Sequence, residues 1–147
     1  LEKPVRILAE RDTPIGAVMA SSHPLAAKID ITLPECAEYP LLLHQVQLTE
    51  GPTSRAAFIA AGISPEPLLT SNSLAMTKEV LRAQMGVAFF TRLAFRQEIS
   101  RGELVHVPFA DVGKFGMKIG IIVAESRRLS PAVQEMTEHL RSSLENI

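Results

Sequence analysis

Between Leu41 and Thr91 the apolar residues change their period repeatedly, and that alternation restricts the chain more than any other feature. Leu41-Leu42-Leu43 after Pro40 reads as a buried strand. Thr53–Ala61, rich in Ala and carrying Phe58 and Ile59, reads as a helix with Gly62 at its C-cap position. Pro65 and Pro67 bracket a brief extended stretch that runs to Thr70. A second helix follows, with Leu74, Thr77, Leu81 and Met85 at helical spacing and Gly86 as its stop. Ser71, Asn72 and Ser73 are its candidate N-caps. Val87-Ala88-Phe89-Phe90, ending at Thr91, is the next buried strand. Strand, helix, strand, helix, strand is a βαβαβ unit. It predicts an α/β fold with a parallel sheet, right-handed crossovers and helices on the sheet faces.

The flanks read less sharply. Val5–Ala9 and Ile15–Ala20 are expected as two short strands around the turn signal Asp12-Thr13-Pro14. Ile29–Leu33 alternates as a short strand, followed by a helical turn through Pro34–Glu38. Val46–Pro52 is a loop. Leu104–Phe109 alternates as a strand with His106 on its polar face, and Met117–Ala124 is another strand. Ser130-Pro131 starts a last helix, in which Val133, Met136, Leu140, Leu144 and Ile147 form one apolar stripe. With 46% hydrophobic and 21% charged residues, this is a folding composition, not a disordered one. A net charge of −1 argues against a large basic nucleic-acid footprint on these residues. One Cys and four His exclude a disulfide framework and a Cys-rich zinc module. No apolar run is long enough to span a membrane. The chain opens at Leu1 without a secretory pattern over Leu1–Arg11, and reads as a piece of something longer.

Ligands of such a sheet sit at the carboxyl ends of the strands, beside helix N-termini. Those places are His44–Ser54, Thr70–Ser73 and Thr91, a cluster of small hydroxyl and amide groups. Catalytic spacings are missing: no nucleophile elbow, no P-loop, no HExxH, and the His residues at 23, 44, 106 and 139 show no metal-ligand spacing. No catalysis, cofactor or bound metal is therefore expected. Each notable residue also has a plain reading. His44 is either a ligand contact or an exposed strand-end polar group; His23 is a turn residue; Cys36 is a small half-buried hydrophobe. The Met residues at 19, 76, 85, 117 and 136 read as core filler.

Five motifs in order make the chain familiar: HPLA at His23–Ala26 with EYPLLL at Glu38–Leu43, GISPEPLLTSNS, LRAQMGVAFFTR, RGELVHVPF and ESRRLSPAVQEMTEHLRS. Their order and spacing, from about Thr13 to Ser143, resembles the C-terminal effector-binding region of LysR-type transcriptional regulators. Gln84 departs from that pattern, which has Gly there, so a less regular helix end is expected. The resemblance implies a periplasmic-binding-protein-like (type 2) fold, in which two lobes are joined by crossover strands. Ile15–Ala20 and Met117–Ala124 would be those crossovers, lying side by side. Residues 20–116 would form the second lobe, and 1–19 with 117–147 the crossovers, the remainder of the first lobe and the C-terminal helix. A small-molecule effector, a carboxylate or other anion, would bind in the cleft, with Gln45, Thr53, Ser54, Ser71, Asn72 and Thr91 at cleft-lining positions. DNA would be bound only by an N-terminal helix-turn-helix domain absent from these residues, in the bacterial cytoplasm and away from membranes. Self-association as a homodimer or homotetramer would use Thr53–Ala61 and Glu66–Thr70. Phe58 and Ile59 cannot both face one core, which leaves one of them for a partner. The alternative is a lobe of an exported solute-binding protein feeding a transporter.

Overall fold

A computed structural model describes residues 4–44, 54–110, 116–125 and 129–145. The loop Val46–Pro52, with Gln45 and Thr53 beside it, lies outside the described residues, as does Ile147. The chain forms two compact units: Pro14–Gly116, and Leu1–Thr13 together with Met117–Ile147.

Within Pro14–Gly116 the expected βαβαβ unit is present: β2 (Leu41–His44), α2 (Ser54–Ala60), β3 (Pro67–Ser71), α3 (Leu74–Arg82) and β4 (Val87–Thr91). The long strand β1 (Val5–Ala20) and β5 (Leu104–Pro108) complete its sheet in the order β3-β2-β4-β1-β5. β2 runs parallel to β3 and β4, whereas β1 is antiparallel to both β4 and β5. Alternation along each strand divides the core between two sheet faces. One face carries Ala17, Met19, Leu41, Leu43, Phe89 and Val107 against Phe58 of α2 and against Leu33 and Cys36 of α1 (Leu33–Ala37). The other carries Val18, Leu42, Ala88 and Leu104 against Leu81 of α3 and Phe95. Helices cover both faces of one sheet, each large side chain buried this way contributing about 1.5–3 kcal/mol.

Several boundaries differ from the sequence reading, each for a local reason. Asp12-Thr13-Pro14 makes no turn, and β1 runs unbroken through it. Pairing with β4 starts at Ile15, opposite Thr91, so the proline's missing N–H breaks none of the pairings observed. Within β1, Gly16, Ala17 and Val18 have partners in both β4 and β5, and β6 also pairs with this strand. Ile29–Leu33 is no strand either. Only Ile31 bridges to Phe109, and Thr32 then caps α1 with a reciprocal pair. Thr32 Oγ1 accepts from the Glu35 N–H, and a Glu35 carboxylate oxygen accepts from the Thr32 N–H at 2.8 Å. A 3₁₀ turn (Arg92–Phe95) and α4 (Arg96–Ser100) fill the stretch between β4 and β5, where no element was expected. Cys36 is fully buried rather than half-buried, and of the methionines Met19 is core, while Met76, Met85, Met117 and Met136 are exposed.

In the other unit, β6 (Gly116–Ala124) pairs with the first half of β1. The Glu125 N–H donates to the Pro4 carbonyl at 3.0 Å, and Lys118 pairs with Glu10 at 2.8 Å, so the two run in opposite directions. α5 (Pro131–Glu145) is tied to β1 by arginines: Arg141 donates to the Leu8 carbonyl at 3.0 Å and Arg11 to that of Leu144 at 3.3 Å. Leu144 is buried, but Val133, Met136 and Leu140 of the same stripe are exposed.

Candidate functional site

Because β2, β3 and β4 are parallel, their carboxyl ends His44, Ser71 and Thr91 emerge at one edge of the sheet. His44 is the register partner of Ser71, and on its other side its ring meets that of Phe90 at 5.1 Å. Strands are spaced by about 4.8 Å, so Ser71 and Thr91 stand about 10 Å apart with His44 between them, a span suited to a small molecule.

The start of α3 separates the roles of its three candidate caps. Ser73 is the N-cap, its Oγ accepting from the Met76 N–H at 3.3 Å. Ser71 Oγ accepts from the Ser73 N–H at 3.0 Å and so shapes the turn into the helix. Its hydroxyl hydrogen is left available to donate outward. Asn72 is exposed between them. N–H groups of the first turn and the positive end of the helix dipole face the same edge. Thr91 is only 6% exposed, ends β4 opposite Ile15, and makes no side-chain cap bond to the 3₁₀ turn after it. Ser54, half-buried, opens α2. The structure thus brings Ser71, Asn72 and Thr91 to one edge, places Ser54 at a helix start, and leaves Gln45 and Thr53 outside the described residues. Hydrogen-bond donors and the positive end of a helix dipole are the chemistry of this edge.

Three groups have environments that the sequence pattern does not show. His44 is half-buried rather than an exposed strand-end group, and its Nδ1 is turned inward without a hydrogen-bond partner. His106 is not simply on a polar face; its ring lies against Gly16 and its Nε2–H donates to the Phe90 carbonyl at 3.2 Å. Burial holds its pKa below the ordinary histidine value, and the nearby positive charge of Arg92 adds to this, while the Phe90 carbonyl opposes it. Glu98, in a helix that no sequence period announces, is buried and paired with Lys78 at 2.9 Å and Arg82 at 3.4 Å. His23, as expected, is a turn residue, its Nδ1 accepting from the Leu25 N–H at 3.2 Å. Among the described residues no group of His, Cys, Asp and Glu could hold a metal ion, and no helix is long and apolar enough to cross a membrane.

The fold has known counterparts. The chain matches the LysR substrate binding domain family over residues 5–145. It is 29% identical over 87 residues to the HTH-type transcriptional regulator CysB of Burkholderia cenocepacia, a match covering 59% of this chain and 28% of CysB. In structure it is similar to the Synechocystis PCC6803 CcmR regulatory domain in complex with 2-PG, with a TM-score of 0.69 and 19% identity over 99% of this chain and 70% of that one. It is also similar to the effector binding domain of QuiR in complex with shikimate, with a TM-score of 0.68 and 15% identity over 97% of this chain and 66% of that one. These likenesses show the fold, which is that of the periplasmic-binding-protein-like (type 2) effector domains of LysR regulators. The chain spans about a quarter to a third of the curated relatives it matches first, 28% of CysB and 35% of SsuR. With the match running almost from end to end, the chain belongs to the LysR substrate binding domain family.

Proposed function

We propose that this chain is the effector-sensing region of a bacterial LysR-type transcriptional regulator, acting in the cytoplasm, where binding of a small molecule changes how the whole protein acts on DNA. The family match over residues 5–145 carries the reading. The strand-end edge supports it physically, since hydroxyls at Ser71 and Thr91 beside the N-terminus of α3 suit a small carboxylate or phosphate. The CcmR and QuiR structures are complexes with 2-PG and shikimate, respectively. Gln45, Thr53, Ser54 and Asn72 complete the proposed contact set. Residues 20–116 form the proposed second lobe, and 1–19 with 117–147 the strands and helix that join it to the first. DNA contact belongs to a helix-turn-helix domain outside these residues. The family match does not favour an exported solute-binding lobe.

The regulator is also proposed to self-associate through α2 and β3. On α2, Phe58 is fully buried, while its neighbour Ile59 is 61% exposed and Leu68 on the edge strand β3 is 53% exposed. That is an apolar pair fit for a second copy.

The test is a thermal-shift and calorimetric screen of the full-length protein against small carboxylates and phosphates, with Ser71→Ala in parallel. Loss of one hydrogen bond to a charged group should weaken binding by about 1.5–3 kcal/mol, roughly ten- to a hundredfold. A variant that binds as tightly as the parent would remove Ser71 from the site.

A further inference from the structure

We propose that His106 is a positioning residue for the carboxyl end of β4, tying Phe90, and through it Thr91, to β5 across the intervening strand β1. The tie is visible in the register. His106 is the partner of Val18 on β1, and Gly16, two residues earlier on that strand, is the partner of Phe90 on β4. Val18, Gly16 and His106 share one face of the sheet by alternation, so the imidazole runs diagonally over Gly16 and ends at the Phe90 carbonyl, 3.2 Å from Nε2. The passage exists only because residue 16 has no side chain. A Cβ there would lie 2.6 Å from His106 Cε1, 2.7 Å from Nε2 and 2.5 Å from the Val107 carbonyl oxygen. Three adjacent strands are thereby fastened on one face by a single side chain, in addition to their backbone ladders.

Fastening Phe90 matters because Thr91 is its neighbour in the chain. The Phe90 ring is held between those of His44, at 5.1 Å, and Phe95, at 5.2 Å, and its carbonyl is held by His106. At Thr91 the strand ends and the chain turns into the 3₁₀ turn. A strand end with free bonding groups frays first. Here the last residues are gripped by both side chain and main chain, which keeps the Thr91 hydroxyl at a constant place on the edge. The inference rests on the reading of that edge as the effector face.

The charged group acting on the imidazole is Arg92 in the 3₁₀ turn; the faces of β1 and β4 against it present Gly16, Val18 and Phe90, none of them titratable, and His44 lies beyond the Phe90 ring. Burial, the largest influence on the imidazole, favours its neutral form, which serves as the donor to the Phe90 carbonyl.

Amide hydrogen exchange on this chain, followed by NMR, tests the tie. His106→Leu keeps the apolar bulk and removes the donor, while His106→Gln keeps a donor. In the Leu variant the Thr91 and Arg92 amides should exchange at least about tenfold faster, relative to those of Ala17 and Leu42, and Gln should restore most of the difference. In the parent protein the Thr91 and Arg92 amide shifts should titrate with the His106 ring resonances, and in both variants this titration should vanish. Acceleration spread evenly over the sheet, in proportion to lost global stability, would overturn the proposal, as would unchanged exchange at Thr91. If local loosening is found but Ser71→Ala leaves small-molecule binding untouched in the full-length protein, the tie stands and the effector reading of the edge falls.

Discussion

Glu98 is a buried carboxylate in an element that no sequence period announces. It is 4% exposed in a helix of five residues, with Lys78 over the Phe95 ring at 5.5 Å and Arg82 reaching in from the same side. Burial alone would raise its pKa, but the hydrogen bond from Lys78 and the charges of Lys78 and Arg82 outweigh it, so the carboxyl titrates below its ordinary value of 4.5. Its folded-state pKa being depressed, its contribution to stability is present above about pH 4.5 and is lost as pH falls below that. Glu98→Gln should lower stability by about 1–3 kcal/mol at pH 7 and flatten the acid limb of a urea-midpoint profile. An acid limb identical to the parent's would refute the pairing. No sequence spacing could reveal this cluster, since α3 and α4 meet only in the fold. Gln84 is the opposite case, legible in advance. It departs from the glycine of the family pattern and is held at φ 61°, a backbone region costly for a side chain. Gln84→Gly should therefore raise stability by roughly 1 kcal/mol, read as a higher Tm, without altering the helix before it.

At the scale of elements, the start of α3 separates capping from binding within three residues. Ser73→Ala removes the cap, and the expected result is a loss of about 1 kcal/mol in thermal stability with small-molecule binding per folded molecule unchanged. Ser71→Ala should do the reverse. A Ser71 variant that melts early yet binds normally would assign both hydroxyls to structure. The helices and parallel strands from Leu41 to Thr91 were legible because each carries its own period and its own stop signal, as at Gly62, whose φ is +75°. The pieces that were not legible are those decided by neighbours. Asp12-Thr13-Pro14 has the composition of a turn, but strands on both sides hold the residues after it extended. Thr32 to Glu35 spells a capping box, a local signal that the alternation of Ile29–Leu33 concealed. The strand ends that make up the candidate edge could be placed from the βαβαβ pattern alone; the crossing of His106 over Gly16 could not, because it depends on the antiparallel register of β1.

For the molecule as a whole, the two units differ in how fully they bury their apolar residues. Pro14–Gly116 has a core on each face of its sheet, whereas in the other unit Val5, Ile7, Ile122, Val133, Met136 and Leu140 are all exposed. The larger unit should accordingly be the more resistant one. Under native-state hydrogen exchange, amides of Ala17, Leu42 and Ala88 should be protected long after those of β6 have exchanged. Equal protection in the two would contradict this. Self-association has its own expected signature: Ile59→Lys should weaken a dimer by at least tenfold in sedimentation, leaving the monomer's stability within about 0.5 kcal/mol of the parent's, because Ile59 contributes little to the core.

The continuous unit Pro14–Gly116 is inserted between the two halves of the discontinuous one. On the ribosome this sets an order of events. Every strand of the inserted unit has been made before Met117 is reached, so it can close while the partner of the first half of β1 does not yet exist. At synthesis rates of about 5–20 residues per second, the stretch from Met117 to Ala124 that completes β6 takes about a second. For that time Val5 and Ile7 lie on a strand without β6 beside it, an interval in which a chaperone has a defined apolar segment to hold.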